Sequence, residues 1–267
     1  MQLEQYQVSA FSERAFAGNP AAVVPLTAWL PDATLLAIAA ENNLSETAFY
    51  LPEGDGYALR WFTPTVEVEL CGHATLATAH VLFNELGYSG DEIRFRTVFS
   101  GVLRVTQDPG GICLNLPAHP VQAVPVDTAI AAALGGKPVA AYNAPSWVYE
   151  FASADEVLAL QPDLRALHAA TPLPVIVTAP ANADSDVNFV ARFFGPQVGV
   201  DEDPVTGSAY CALMPLWASA NKLAQSRLKA RQLSSRGGDL VCELRGDRVL
   251  LWGRGRTFLR GSIDIPG

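Results

Sequence analysis

The sequence predicts an α+β protein with two pseudo-duplicated domains, each a curved sheet around a central helix. Three observations carry this prediction. Two sets of short motifs recur in the same order along the 267 residues. Strand-like segments far outnumber helical ones in both halves, which is typical of α+β domains. One segment in each half is apolar or small on nearly every side, as in a helix buried at the centre of a domain.

The repeat consists of three pairs of landmarks separated by roughly 130 residues, and a fixed spacing of this kind indicates duplication. Each half contains a Pro-Asp pair, then an Arg-x-Phe-x-Pro motif, then a glycine that opens a small-residue apolar segment. The pairs are Pro31-Asp32 with Pro162-Asp163, Arg60–Pro64 with Arg192–Pro196, and Gly72–Ala77 with Gly207–Ala212. We therefore expect one domain over residues 1–118 and another over residues 119–267, whose C-terminal strand can cross back to the first domain.

Helices and strands follow from local patterns. Asp32 is a plausible N-cap for a helix, and Ser153 to Glu156 form a capping-box pattern before another. The two central helices are expected at residues 73–82 and 208–218. Strands are expected near residues 47–51, 57–62, 93–96, 101–107, 112–116, 174–178, 187–194, 240–244 and 249–252.

Composition excludes several classes of protein. The formal net charge of −9 argues against a nucleic-acid surface, which needs clustered positive charge. No run approaches the roughly 18 apolar residues of a membrane span, and the first residues lack the features of a signal peptide. We therefore expect a cytoplasmic protein without membrane contact. The four cysteines are far apart in the chain, which favours reduced, buried thiols over disulfides or a zinc motif.

Glu46 is the first candidate for chemistry. It lies between a predicted helix and a predicted strand, next to Leu44, Ala48 and Phe49. Apolar surroundings destabilise a charged carboxylate and favour general acid/base behaviour. The alternative is a solvated carboxylate in a turn. The corresponding stretch of the second half, residues 175–178, contains no acid, so the fold itself does not require one here.

Cys71, Gly72 and His73 precede and open the first central helix. The free amides at a helix start can bind an anion, and their positive potential predicts a neutral imidazole at His73. Such an imidazole can hydrogen-bond a substrate oxygen or relay a proton. Alternatively, His73 is only a polar residue at the helix start. His80, further along the helix, is expected to be a hydrogen-bonded core histidine.

The second helix start follows three acids, Asp201 to Asp203. Asp203 is the best candidate among them to bind a polar substituent of a substrate, and its alternative role is to cap the turn. The amides of Gly207 and Ser208 can hold an anion. Neither the spacing of the acids nor that of the histidines matches a metal motif, so no metal is predicted.

Five motifs together resemble the PhzF family of phenazine biosynthesis-like proteins, which are related to diaminopimelate epimerase. The matching stretches are Phe16–Pro20 (FAGNP), Asn43–Phe49 (NLSETAF), Arg60–Pro64 (RWFTP), Cys71–Thr75 (CGHAT) and Glu202–Ser208 (EDPVTGS). They follow the family's order up to about residue 220, and the last 45 or so residues match only in length and strand-like character.

The resemblance implies the diaminopimelate epimerase-like fold, in which each domain is a barrel-like mixed sheet around a central helix and the active site lies between the domains. It implies Glu46, His73 and Asp203 as catalytic residues. It also implies Gly72, Gly207, Ser208 and Cys71 as substrate-binding residues, a homodimer, and no cofactor. The expected function is isomerisation, in which Glu46 moves a proton on a small carboxylate metabolite.

Two alternatives remain. Related epimerases use one thiol per domain, and Cys71 stands where the first would be. The second position has no cysteine, because Cys211 falls deeper in its helix and should face the core. This disfavours a two-thiol racemase but leaves a Cys71-dependent epimerase open. The other alternative is a small-molecule or protein-binding relative that lacks catalysis. The residues at 71–74 differ from those of the phenazine enzyme, so its substrate is not predicted here.

Overall fold

Eighteen strands and six α-helices form the part of the chain described by the computed structural model, residues 1–265, which confirms the predicted α+β class. The chain divides into two units. Unit 1 contains Met1–Asn115 and the C-terminal segment from Trp252, and unit 2 contains Leu116–Leu251. Within the described residues, no helix combines the length and the apolar character that a bilayer crossing demands.

Unit 1 contains two α-helices among its strands. In chain order its elements are β1 (Gln2–Ala10), β2 (Asn19–Pro25), α1 (Asp32–Asn42), β3 (Glu46–Glu53), β4 (Gly56–Phe62), β5 (Glu67–Val68), α2 (Gly72–His80), β6 (Glu92–Thr97), β7 (Gly101–Asp108) and β8 (Gly111–Pro117). The chain passes into unit 2 near the end of β8.

Unit 2 contains four α-helices. Its elements are β9 (Gln122–Val124), α3 (Thr128–Leu134), β10 (Ala140–Asn143), β11 (Trp147–Glu150), α4 (Ala154–Ala159), α5 (Leu164–Ala170), β12 (Val175–Pro180), β13 (Phe189–Gly195), β14 (Val200–Asp203), α6 (Tyr210–Trp217), β15 (Arg227–Gln232), β16 (Gly238–Arg245) and β17 (Arg248–Gly253). The chain returns to unit 1 within β17 and ends with β18 (Gly255–Asp264).

The strands of the two units pair in the same succession. In unit 1, two pairs of strands are parallel, β2 with β3 and β4 with β6. The antiparallel pairs are β1 with β18, β1 with β2, β3 with β4, β4 with β5, and β6 with β7. In unit 2 the same orientations link β10 to β9 and β11, β11 to β12, β12 to β13, β13 to β14 and β15, and β15 to β16. Duplication stays a prediction, and this shared order supports it.

The two Arg-x-Phe motifs make the same contacts within their own units. Arg60 donates two parallel hydrogen bonds of 2.7 and 2.6 Å to Glu67, and its guanidinium lies 5.0 Å from the ring centroid of Phe62. Arg192 donates bonds of 2.7 and 3.0 Å to Glu202 and lies 4.8 Å from the ring of Phe194. A planar guanidinium suits both partners at once, because it can bond a carboxylate edge-on and stack on a ring.

The central helices are buried as predicted, but their bounds differ from the prediction. All nine residues of α2 are buried, and the helix packs on β1, β2, β3 and β18. It begins at Gly72, and after His80 the chain continues as a π-helical turn, Val81–Glu85. Gly207–Ala209 form a 3-10 turn, in which the amide of Ala209 bonds the carbonyl of Thr206, so α6 begins only at Tyr210.

The two predicted helix starts have different outcomes. Asp32 is the first residue of α1 rather than its N-cap, which is Pro31, and its carboxylate instead accepts a bond of 2.9 Å from Arg60. Ser153 caps α4 as predicted, because its hydroxyl accepts a bond from the amide of Glu156. The carboxylate of Glu156 reaches the amide of Ala152, one residue before the cap.

Candidate active site

Glu46 owes its position to an abrupt helix end. Asn43 follows α1 in the left-handed conformation, with φ of 49°, and its amide bonds the carbonyl of Ala39. Asparagine tolerates this conformation better than most residues. The chain then turns and enters β3 at Glu46, which lies beside Ala21 of the parallel strand β2. Glu46 is therefore fixed at the start of an internal strand, and only 15% of its side chain is exposed.

The Phe16–Pro20 motif supports the same corner of unit 1. Gly18 has φ of 72°, and a Cβ atom there would lie 2.3 Å from the carbonyl oxygen of Ala10, so only glycine fits. The following residue, Asn19, is fully buried at the start of β2. Its side-chain oxygen lies 3.5 Å from the hydroxyl of Ser45, the residue before Glu46. The motif thus fixes the backbone that presents Glu46.

Cys71 and His73 lie at the start of α2. Cys71 is the N-cap residue, with an extended backbone, and its carbonyl accepts bonds from the amide and the hydroxyl of Thr75. Gly72 is the first residue of the helix, and it is buried. His73 follows and is 4% exposed, so its ring is withdrawn from water.

The structure brings Glu46, Cys71 and His73 together. Nε2 of His73 lies 3.1 Å from Oε2 of Glu46, and its other ring nitrogen, Nδ1, lies 3.5 Å from Sγ of Cys71. The first contact is within ion-pair distance but is poorly directed, because neither atom has an aligned hydrogen-bond partner among the described residues. A buried pair with spare bonding capacity is unusual for a purely structural contact.

Burial is the largest single influence on His73 and favours its neutral form, but Cys71 and Glu46 together outweigh it, so the pKa of His73 is raised well above its usual value. This direction is opposite to the neutral imidazole expected at the helix start. The potential of the helix terminus acts against the imidazolium, whereas Cys71 and the carboxylate of Glu46, 3.1 Å away, favour it.

The thiol of Cys71 behaves differently. Burial raises its pKa, and the nearby charge of Glu46 adds to this rise, against partly compensating contributions from His73 and from the amide of Ala74. The raised pKa favours the protonated thiol of Cys71 over the thiolate.

Asp203, the candidate in unit 2, is the last residue of β14 and is buried. Its carboxylate accepts a short hydrogen bond from the hydroxyl of Thr206. Gln232 of β15 forms two hydrogen bonds to the same turn. Its side-chain nitrogen donates a bond of 2.6 Å to the carbonyl of Asp203, and its side-chain oxygen accepts a bond of 2.9 Å from the amide of Thr206. These bonds fix the turn that precedes Gly207.

The remaining predicted residues of unit 2 differ in exposure. Gly207 is buried at the start of the 3-10 turn, and Ser208 beside it is exposed. Cys211 is 1% exposed, which confirms that it faces the core. Burial raises the pKa of its thiol to about 12. Cys211 is therefore unsuited to act as a second acid/base thiol.

Sequence reasoning missed two features of these sites. Gln232 belongs to a strand that the sequence patterns did not predict, and a lone glutamine has no recognisable spacing. The second feature is that Glu46, Cys71 and His73 each offer one possible metal-ligating atom, and these atoms all lie within 4.8 Å of one another. The prediction of no metal rested on local spacing, and two separated segments supply these three donors.

The chain is similar to one protein family along nearly its whole length. The model of the family described as phenazine biosynthesis-like protein (PhzC-PhzF) matches residues 8–261. An uncharacterized isomerase of Pseudomonas aeruginosa is 46% identical, over 99% of this chain and 100% of that protein. A crystal structure of a PhzF-family protein from Enterococcus faecalis superposes with a TM-score of 0.94 at 43% identity, over 99% of this chain and 100% of the other.

More distant structures extend the likeness of fold alone. A predicted epimerase from Pseudomonas aeruginosa is 19% identical and superposes with a TM-score of 0.74, over 99% of this chain and 100% of the other. The epimerase-like fold expected from the motifs is thereby confirmed.

Proposed function

Because the chain belongs to the phenazine biosynthesis-like protein family, we propose that it is an isomerase that moves a proton on a small carboxylate metabolite, with Glu46 as the group that takes and returns the proton. The observation that carries this proposal is the buried contact of 3.1 Å between Glu46 and His73, in which the carboxylate oxygen has no aligned hydrogen-bond partner among the described residues. Such an oxygen is available to accept a proton.

The proposed reaction needs only this pair of residues and the substrate. The substrate C–H bond breaks, its proton passes to Glu46, and the electron pair spreads into the unsaturated or carboxylate-bearing part of the substrate. The O–H bond of Glu46 then breaks as a C–H bond forms at another carbon. The imidazolium of His73 stays beside Glu46 throughout and compensates the negative charge that develops on the substrate.

Asp203, Gly207 and Ser208 are proposed as further contacts for polar groups of the substrate, with Gly72 and Cys71 at the start of α2. For Asp203 the supporting observation is its fixed position, because Gln232 and Thr206 hold the turn around it. We further propose a homodimer, which sedimentation analysis of the purified chain tests directly.

The experiment is solvent exchange in deuterium oxide. A panel of small cyclic and unsaturated carboxylates is incubated with the wild-type protein, with Glu46→Gln and with Glu41→Gln, and deuterium uptake is followed by NMR. Glu41 is the matched control, because it is an exposed carboxylate on α1. We expect uptake with wild type and Glu41→Gln and a loss of about 10²–10⁴-fold with Glu46→Gln. Equal uptake by all three proteins would remove Glu46 from this role.

A second candidate function is epimerisation that depends on Cys71. The observation in its favour is the distance of 3.5 Å between Sγ of Cys71 and Nδ1 of His73, since a positively charged imidazole beside a thiol favours the thiolate. The raised pKa of Cys71 argues against it. Cys71→Ser separates the two, because it abolishes a reaction that needs the thiol and spares one that needs only Glu46. Tight ligand binding without any proton exchange would instead indicate a binding protein.

A further inference from the structure

The three donors around His73 differ in chemistry. Cys71 offers a sulfur, His73 a ring nitrogen and Glu46 a carboxylate oxygen, and these atoms all lie within 4.8 Å of one another. Mg²⁺ and Ca²⁺ prefer sites made entirely of oxygen, whereas a thiolate selects softer cations such as Zn²⁺. The mixture of donors therefore indicates a cation of the zinc type.

The distances agree with such a cation. A zinc ion about 2.3 Å from sulfur and about 2.0 Å from nitrogen, at a tetrahedral angle, holds these two ligands about 3.5 Å apart. Sγ of Cys71 and Nδ1 of His73 are 3.5 Å apart. The carboxylate oxygen of Glu46 belongs to the set of donor atoms that lie within 4.8 Å of one another, and it becomes the third ligand if its side chain turns towards the ion.

Unused bonding capacity is the second observation that points to a ligand. Oε2 of Glu46 is buried and has no aligned hydrogen-bond partner among the described residues. His73 is 4% and Cys71 6% exposed, so the donors are also shielded from water, which would otherwise compete for a cation.

We propose that Glu46, Cys71 and His73 bind one Zn²⁺ ion per chain, and that this ion inhibits the enzyme. The ion displaces the thiol proton of Cys71 and the proton of the ligating ring nitrogen of His73 to solvent. Thiolate and carboxylate together then neutralise the charge of the ion. Three protein ligands leave a fourth position open to water or to a carboxylate. Binding stands on the geometry alone. Inhibition rests on the proposed function, because a carboxylate that ligates zinc can no longer accept a proton from carbon.

The binding test uses Co²⁺ as a spectroscopic probe, since it accepts the same ligands as Zn²⁺ and gives a sulfur-to-cobalt charge-transfer band when a thiolate is bound. The proteins are wild type, Cys71→Ser, His73→Asn and Cys113→Ser. Cys113 is the matched control, because it is another buried cysteine of unit 1. Circular dichroism verifies that each variant is folded.

We expect one Co²⁺ per chain with the charge-transfer band in wild type and Cys113→Ser, and displacement of Co²⁺ by Zn²⁺. Cys71→Ser loses the band, and His73→Asn binds at least about tenfold more weakly, as expected when a ligand to the metal is removed. A band that persists in Cys71→Ser, or the absence of binding to folded wild-type protein, would overturn the proposed site.

The activity test separates this inference from the proposed function. Deuterium exchange is measured after treatment with EDTA and again after addition of one equivalent of Zn²⁺. We expect exchange by the EDTA-treated protein, its loss with Zn²⁺ and its recovery with more EDTA. Exchange unaffected by bound Zn²⁺, or exchange that requires it, would overturn inhibition. If EDTA-treated wild type exchanges no carboxylate while Co²⁺ still binds, the proposed function fails and the metal site stands.

Discussion

Nε2 of His73, at the start of a buried helix, lies 3.1 Å from Oε2 of Glu46, at the start of a neighbouring strand. A helix start disfavours a positively charged imidazole, and so does burial. The pKa of His73 is nevertheless raised, because Cys71 and Glu46 lie beside its ring. Several measurable properties of unit 1 follow from this pair.

The first prediction concerns the charge of His73. Glu46→Gln removes the anion that favours the imidazolium, so the pKa of His73 is expected to fall below its wild-type value. Titration of the ring by NMR measures this shift, with Glu41→Gln as the control that leaves it unchanged. An identical pKa in wild type and Glu46→Gln would contradict the contribution of Glu46 to the raised pKa of His73.

The same raised pKa has a consequence for stability. A histidine whose pKa is raised by folding stabilises the protein fully below its unfolded pKa of about 6.5, and this contribution is lost as pH rises through the folded value. The difference in unfolding free energy between wild type and His73→Asn is therefore expected to shrink as pH increases. Urea unfolding at several pH values measures it, and a difference that grows with pH would contradict the assignment.

His80 is expected to act with the opposite sign. Burial is the main cause that lowers the pKa of His80; Glu85 raises this pKa and Arg260 lowers it, both by smaller amounts. The ring contacts the hydroxyl of Thr257 and the side-chain amide of Asn84. A lowered pKa means that stability is lost as pH falls below about 6.5 towards the folded value. His80→Gln should remove this loss. Urea unfolding of wild type and His80→Gln at pH values from about 6.5 downwards tests this prediction. The same dependence of the unfolding free energy on pH in both proteins would refute it.

Gly18 and Gly87 form a matched pair for a test of backbone packing. Both have positive φ, 72° and 69°, but a Cβ atom at Gly18 would lie 2.3 Å from the carbonyl oxygen of Ala10, whereas at Gly87 it meets nothing within 4 Å. We expect Gly87→Ala to lower the free energy of unfolding by about 1 kcal/mol, from strain alone. Gly18→Ala should cost at least about twice as much. If chemical denaturation gives the same decrease in unfolding free energy for both variants, the backbone around Gly18 must shift to make room for the added Cβ atom.

Arg192 is expected to contribute far more to stability than an exposed arginine. Besides its two bonds to Glu202, it donates to the carbonyls of Val157 and Leu160 at the end of α4. Arg192→Ala leaves these partly buried acceptors without a donor, which costs on the order of 3 kcal/mol. Arg227, whose side chain is 53% exposed, pairs with Glu243, and Arg227→Ala should cost less than about 1 kcal/mol. Comparable urea midpoints for the two variants would contradict this account.

Local patterns predicted the parts of the fold that depend on local physics. Alternation of apolar and polar residues identified strands such as β4, and side chains that are small or apolar on all sides identified α2. The predictions missed β14, because its run of acids is typical of a loop, yet Glu202 is neutralised by Arg192 and Asp203 is bonded to Thr206. No local pattern contains that information.

The candidate site was predictable in its residues but not in its electrostatics. The motifs singled out Glu46, Cys71 and His73 separately, and only the packing of β3 beside α2 shows that their donor atoms meet. For the same reason the sequence predicted a neutral His73. A charge state depends on the nearest opposite charge, and the nearest opposite charge here comes from a different segment of the chain.

The most direct measurement follows a substrate that carries deuterium at the carbon from which the proton leaves. Its conversion in ordinary water is compared for wild type, Glu46→Gln and Glu41→Gln. The proposal of a single carboxylate predicts that part of the deuterium reappears at the new carbon with wild type and Glu41→Gln, and that Glu46→Gln slows conversion about 10²–10⁴-fold. Conversion by Glu46→Gln at the wild-type rate, with the same distribution of label, would contradict it.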